Sequence, residues 1–233
     1  MPVPTVYRTT GEQALASYDF IDIAEGTGIV NYFGLQASLS GARTNILSTN
    51  SALFSYGVQT SGAAVLSGTY FKLIDKDFDF QFNLPKIIKG NLIVSLTHAH
   101  ACVSTSEASQ HFINIRARKY DGTTETDLAV NSGAVLLSPA GGSATEGGTI
   151  EYQTESIVVP ISRQNFKKGE TFRLTVEAWA KANAGTGQTQ ISRFAHDPQN
   201  RDGEIEVFNT FVVGQSGAGT TKMNVLVPYI IDI

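Results

Sequence analysis

The densest chemistry in the chain is the run His98-Ala99-His100-Ala101-Cys102. Residues two apart on a β-strand share a face, so in a strand both imidazoles and the thiol point the same way. Paired imidazoles on one strand face are a metal-binding geometry once a third ligand converges on them. His196 and His111 could each supply that ligand, and His98, His100 and His196 are the metal candidates. The competing reading is a strand face carrying two polar rings at a loop-facing end or a subunit contact. The sequence favours it, so no metal, cofactor or catalytic residue is expected. Cys102 sits between Ala101 and Val103, the setting of a buried, inert thiol.

Other constellations weaken on inspection. Gly90 lies too far upstream of the histidine pair, and Glu107 too far downstream, for a cupin metal motif. His196 to Asn200 fits only the closing fragment of the second cupin motif. Asp197, Asn200 and Asp202 are hard oxygen donors of the kind a Ca²⁺ loop uses, without the alternation of an EF-hand. They read better as an ordered turn whose side chains cap backbone amides. Asp75, Asp77 and Asp79 could supply the carboxylate pair of a glycoside hydrolase. Like charges in a row on one strand face more often meet solvent or guard an edge. Gly214 to Lys222 brushes against a P-loop, but Thr220 stands where the lysine belongs.

Strands must position all of these groups. From Asp75 onward, Asp75, Asp77, Asp79 and Gln81 alternate with Phe78, Phe80 and Phe82. Ile87 to Val103, His111 to Tyr120, Thr149 to Ile161, Thr171 to Lys181 and Met223 to Ile233 also read as strands. Phe172, Leu174, Val176 and Ala178 form one face of the fourth, and Arg173, Thr175, Glu177 and Trp179 the other. Asp121-Gly122 and Lys168-Gly169 mark turns. Stretches rich in Gly, Ser, Thr and Asn, such as Ser38 to Ser51 and Ala182 to Gln190, read as surface loops. A short helix is conceivable only near Gly11 to Ala16. The expected architecture is all-β: an extended arm over residues 1–17, then a single antiparallel β-sandwich over 18–233, with a jelly roll as the best fit.

Composition narrows the function. Of the 233 residues 16% are charged, and the net charge of −4 excludes the basic footprint of a dedicated nucleic-acid binder. No direct sequence-specific contact with nucleic acid is expected. One cysteine excludes an intrachain disulfide. No basic-then-apolar leader opens the sequence, and no window nears the roughly 18 apolar residues of a membrane span, so no membrane insertion is expected. The prolines Pro2 and Pro4 favour an extended start. Tyr229, Ile230, Ile231 and Ile233 make an apolar end that belongs in a sheet or a subunit interface. These six residues are the interface candidates.

Four passages together look familiar: Tyr18 to Gly34, Phe166 to Trp179, Phe194 to Gly203, and Pro228 to Ile233. The set resembles uncharacterised β-rich virion structural proteins of environmental viruses, notably tailed phages. That resemblance implies a particle component assembled in the host cytoplasm: a capsid decoration or cement protein, a capsid jelly roll, or a tail or fibre accessory. It implies partners among other virion proteins and copies of the chain itself, a trimer being one arrangement. It carries no catalytic residues. The alternative is a receptor- or carbohydrate-binding module, with Trp179, Tyr120 and Tyr152 as candidates for sugar stacking. A cupin-like metalloenzyme built on the histidines ranks third.

Overall fold

A computed structural model of the protein describes residues 16–17, 27–39, 42–50, 59–66, 68–103, 108–138, 150–182, 188–196, 205–208, 217–220 and 223–230. The strands are β1 (Ala16–Ser17), β2 (Thr27–Leu39), β3 (Ala42–Ser48), β4 (Gln59–Leu66), β5 (Phe71–Gln81), β6 (Lys86–Val103), β7 (Ser109–Tyr120) and β8 (Glu125–Ser132). They continue with β9 (Leu136–Ser138), β10 (Ile150–Phe166), β11 (Thr171–Ala182), β12 (Gln188–Ala195), β13 (Ile205–Phe208), β14 (Gly217–Thr220) and β15 (Asn224–Ile230).

Eight of these strands wrap as a nested hairpin. The first pairs with the last (β2 with β15), the next with the next to last (β5 with β11), then β6 with β10, and β7 with β8, all antiparallel. Contacts of β15 with β6, and of β11 with β7, join the pairs into two four-stranded layers, β2-β15-β6-β10 and β5-β11-β7-β8. This is the double Greek key of a jelly roll. The two layers pack face to face, and among the described residues one parallel bridge, Ile46 of β3 opposite Asp79 of β5, joins them in backbone pairing. The remaining strands are additions: β3 extends the edge of β2, and β12 with β4 extends the upper half of β6.

The alternation expected of β11 holds. Phe172, Leu174, Val176, Ala178, Ala180 and Ala182 all point into the core. They meet Ile113, Ile115 and Ala117 of β7, and Leu92, Val94 and Leu96 of β6. Phe78, Phe166, Phe172 and Phe194 are its largest fully buried side chains. At one end the sheets are locked turn to turn. Gly169, at φ 88°, lets the β10–β11 turn place its N–H 2.8 Å from the Phe82 carbonyl.

Strands β3, β8, β9, β12, β13 and β14 fall where none was expected. β3 lies inside the Ser38 to Ser51 stretch read as loop. β8 is an edge strand with most of its residues exposed, so it needs no apolar alternation to hold its place. β12 turns Gln190 and Ser192 inward, which hides the period-two pattern that marks a strand. The expected N-terminal arm and short helix lie outside the described residues, except that Ala16 and Ser17 pair with β2.

Candidate functional site

On β6 the even-numbered side chains face the interior. Leu92, Val94 and Leu96 continue into His98 and His100, both fully buried. Strand β7 brings His111 to the same end of the sandwich, and β12 brings Ser192 and Gln190. A chain of contacts links them. His98 Nδ1 is 2.7 Å from His111 Nε2. His111 Nδ1 is 3.0 Å from Ser192 Oγ, which lies 3.3 Å from His100 Nδ1. His100 Nε2 is 2.8 Å from Ser109 Oγ. The His100 and His111 rings stack 5.0 Å apart at 5°.

Glu155 of β10 closes the chain on the other side. Its Oε1 lies 2.9 Å from His98 Nε2, out of line with a ring N–H, and neither atom has a hydrogen bond. Its Oε2 accepts the Ala134 backbone N–H at 2.9 Å. A Cβ at residue 133 would collide with the Glu155 carboxylate, so Gly133 is what lets this turn close over it.

The geometry is that of a hydrogen-bonded cluster. Two imidazole nitrogens on one tetrahedral Zn²⁺, each ~2.0–2.1 Å from it, stand about 3.3 Å apart. The His98 and His111 nitrogens are at 2.7 Å, sharing one proton. Among the described residues no group of three His, Cys, Asp or Glu side chains is arranged to hold a metal ion. The proposed third ligand also sits elsewhere. Phe194 pairs with His98 and Ser192 with His100, so His196 lies farther down the core. It packs on Phe78 and Phe194 at ring distances of 5.5 and 5.6 Å. His98, His100 and His196 therefore do not form the metal set read from the sequence; His111 takes the third place, and the contacts are hydrogen bonds.

Burial holds His100 and His111 neutral. It pulls His100 down to about 4, against the opposing hydrogen bonds of Gln190 and the Ile191 backbone. It pulls His111 well below its ordinary value, and the neighbouring His100 and His98 add to the effect. Burial likewise takes His196 to about 3. A neutral imidazole can accept and pass on a proton, but Ser192 and Ser109 at the links are themselves fully buried.

The row Asp75, Asp77, Asp79 lies on the outer face of the second layer, and it is engaged rather than merely solvated. Arg173, opposite Asp79, forms a fork to that carboxylate at 2.7 Å through both Nε and Nη2. Thr175 Oγ1 donates to Asp77 at 2.6 Å. Lys72 pairs with Asp75 and reaches Glu177. Arg116 and Arg118 carry the network on to Asp127 at 2.8 Å each. Glu177, only 1% exposed, accepts from Asn114 Nδ2 at 2.7 Å, Trp179 Nε1 at 3.0 Å and Arg116 Nε at 3.1 Å. Burial pushes its carboxyl up, and these donors more than reverse the shift, leaving it below the usual range. Each of the three carboxylates thus has a partner on its own or the facing strand.

Of the stacking candidates, Trp179 lies parallel to Phe112 at 6.5 Å, and Tyr120 sits under the Arg173 guanidinium at 4.9 Å. The Tyr152 and Cys102 side chains, and Asp197, Asn200 and Asp202, lie outside what is described. So do Pro2, Pro4, Ile231 and Ile233. Tyr229 and Ile230 are in β15 between β2 and β6, with Tyr229 in the core and its hydroxyl 2.8 Å from that of Tyr32.

No protein-family model matches the chain, and no curated protein matches it. Among solved structures, a CocE/NonD family hydrolase from Staphylococcus aureus aligns at a TM-score of 0.40 and 12% identity, over 85% of this chain and 36% of the hydrolase. A structure of infectious bursal disease virus, Gx strain, aligns at 0.29 and 10% identity, over 88% of this chain and 37% of that one. The VP2 protein of the same virus, in derived particles, aligns at 0.20 and 11% identity, over 93% and 61%. The chain thus spans little more than a third of the length of the first two. None of the three reaches a TM-score of 0.5, and the assignment of the fold stands on the strand topology.

Proposed function

We propose that the chain is a structural protein of a virus particle, a jelly-roll subunit that packs against copies of itself and other virion proteins. The observation that carries this reading is an apolar rim at the open edges of the two layers. Among the described residues β8 pairs only with β7 and β9 only with β7, while β10 pairs only with β6. Where these edges meet, Val130, Val135, Leu137 and Val158 are 52%, 50%, 60% and 40% exposed. Open strand edges flanked by exposed apolar side chains are surfaces that pair with another chain. A fold by itself does not name a function, since viral shells, lectins and cupins share this one. The interior favours the structural reading over an enzyme. Among the described residues its cluster of histidines is buried and linked by hydrogen bonds within itself.

Sedimentation of the full chain and of a Val135→Asp/Leu137→Asp variant tests the reading. Both substitutions fall on exposed positions, so the variant is expected to fold, with its melting curve as the check. The native chain is expected to sediment as an oligomer and the variant as a smaller species. Equal sedimentation of the two would remove the rim from the interface.

A further inference from the structure

The end of the sandwich away from the histidines is hollow. A half-open cavity of about 680 Å³ lies between the two layers, bounded by β2, the β5–β6 turn, and the ends of β10 and β15. Its start on β6, at Lys86, is 14 residues from His100, or about 45 Å of strand. Its volume is in the range of small-molecule sites, which are mostly apolar with a few placed polar groups.

Five rings make its walls: Tyr32, Phe80, Phe82, Phe166 and Tyr229. They pack edge to face or tilted, with Tyr32 to Phe80 at 4.8 Å and Phe82 to Phe166 at 4.9 Å. Such a wall favours an apolar body.

Two polar features then bias what that body carries. The first is inside. The Tyr32 and Tyr229 hydroxyls are 2.8 Å apart and hold two protons between them, of which their mutual bond uses one. Burial raises Tyr32 to about 12 and lifts Tyr229 further, so both stay protonated. Among the described residues nothing accepts the second O–H. The second feature is at the mouth, where Lys86 and Arg163 line the opening. Among the described residues neither has a carboxylate partner, whereas Arg116, Arg118 and Arg173 are each tied to acids. Two cations that no described carboxylate pairs with, beside an aromatic hollow, complement an anion with a greasy body.

We propose that this cavity binds a small amphipathic anion, an apolar chain or ring bearing one carboxylate. The body lies among the five rings and the head sits at Lys86 and Arg163. The site is separate from the assembly rim, and it stands or falls independently of it.

Calorimetric titration of the full chain with decanoate tests the proposal, with decan-1-ol and decyltrimethylammonium as probes of equal chain length and different charge. Decanoate is expected to bind with a Kd below about 1 mM, tighter than the alcohol, with no measurable binding of the cation. A Lys86→Ala/Arg163→Ala variant, altered only at exposed residues, is expected to weaken decanoate at least about tenfold and to leave the alcohol unchanged. A Phe80→Asp variant, which puts a charge into the wall, is expected to abolish both, with its melting curve recorded to show that it folds. Absence of decanoate binding, equal affinity for the cation, or an unaltered affinity in the double variant would each overturn the proposal.

Discussion

The histidine cluster makes stability depend on pH in a defined direction. Unfolded imidazoles titrate near 6.5, whereas His100 in the fold titrates at about 4 and His111 also lies well below its ordinary value. Between those values the unfolded chain holds more protons. Stability from these residues is therefore full above about pH 6.5 and falls as pH drops toward 4. His98 and Glu155 face the same rings and share the contact chain. From His100 alone the loss at pH 5.5 is on the order of 1 kcal/mol, at a pH above the range where most carboxylates begin to protonate. Urea midpoints at pH 7.5 and 5.5 are expected to differ accordingly, with a smaller difference in a His100→Gln variant. Glu177 gives a second residue-scale test. Replacing it by alanine strands the Asn114, Trp179 and Arg116 donors. The cost is expected to be about 2–4 kcal/mol, read from urea unfolding, and glutamine, which keeps an acceptor oxygen, should lose less than half of that.

At the scale of the element, Gly90 is where the longest strand bends. It has φ 122° inside β6, and a Cβ there would stand 3.3 Å from the Pro228 Cβ. Both neighbours change register beside it: β10 between Ile161 and Gln164, and β15 between Leu226 and Tyr229. A Gly90→Ala variant is expected to lose about 1–3 kcal/mol, through the left-handed backbone and the close proline together. A thermal melt within error of the native one would contradict that role. The sequence is legible for strands with one apolar and one polar face, as in β11, where inward and outward residues were separable by alternation. It is illegible for β12, whose inward Gln190 and Ser192 serve the polar cluster, and for β8, which buries little. The same limit applies to the site. His98 and His100 share a face by strand geometry alone. That His111 and not His196 completes the cluster depends on the register of β12 against β6, which no local pattern encodes. Arg173 opposite Asp79 is a cross-strand pair of the same kind, visible only once β11 is known to lie beside β5.

For the whole molecule, chemistry and exposure are segregated. Among the described residues the reactive side chains are inside at one end, the charges on the outer face of the second layer satisfy one another, and four of the seven exposed large apolar side chains, Val130, Val135, Leu137 and Val158, gather near the β8–β10 edge, with Ile29, Phe71 and Leu84 elsewhere. Exposed ion pairs of that outer face contribute little stability each. They keep the face polar and matched, which leaves the apolar rim as the surface suited to close packing between copies. A subunit of a particle needs such a rim, and a monomeric binding module or enzyme does not. The most direct test is the solution mass of the full chain by light scattering. A discrete species at a small whole multiple of 25.0 kDa is the predicted result. A species that stays at 25.0 kDa at every concentration up to the millimolar range would contradict self-assembly and with it the structural reading.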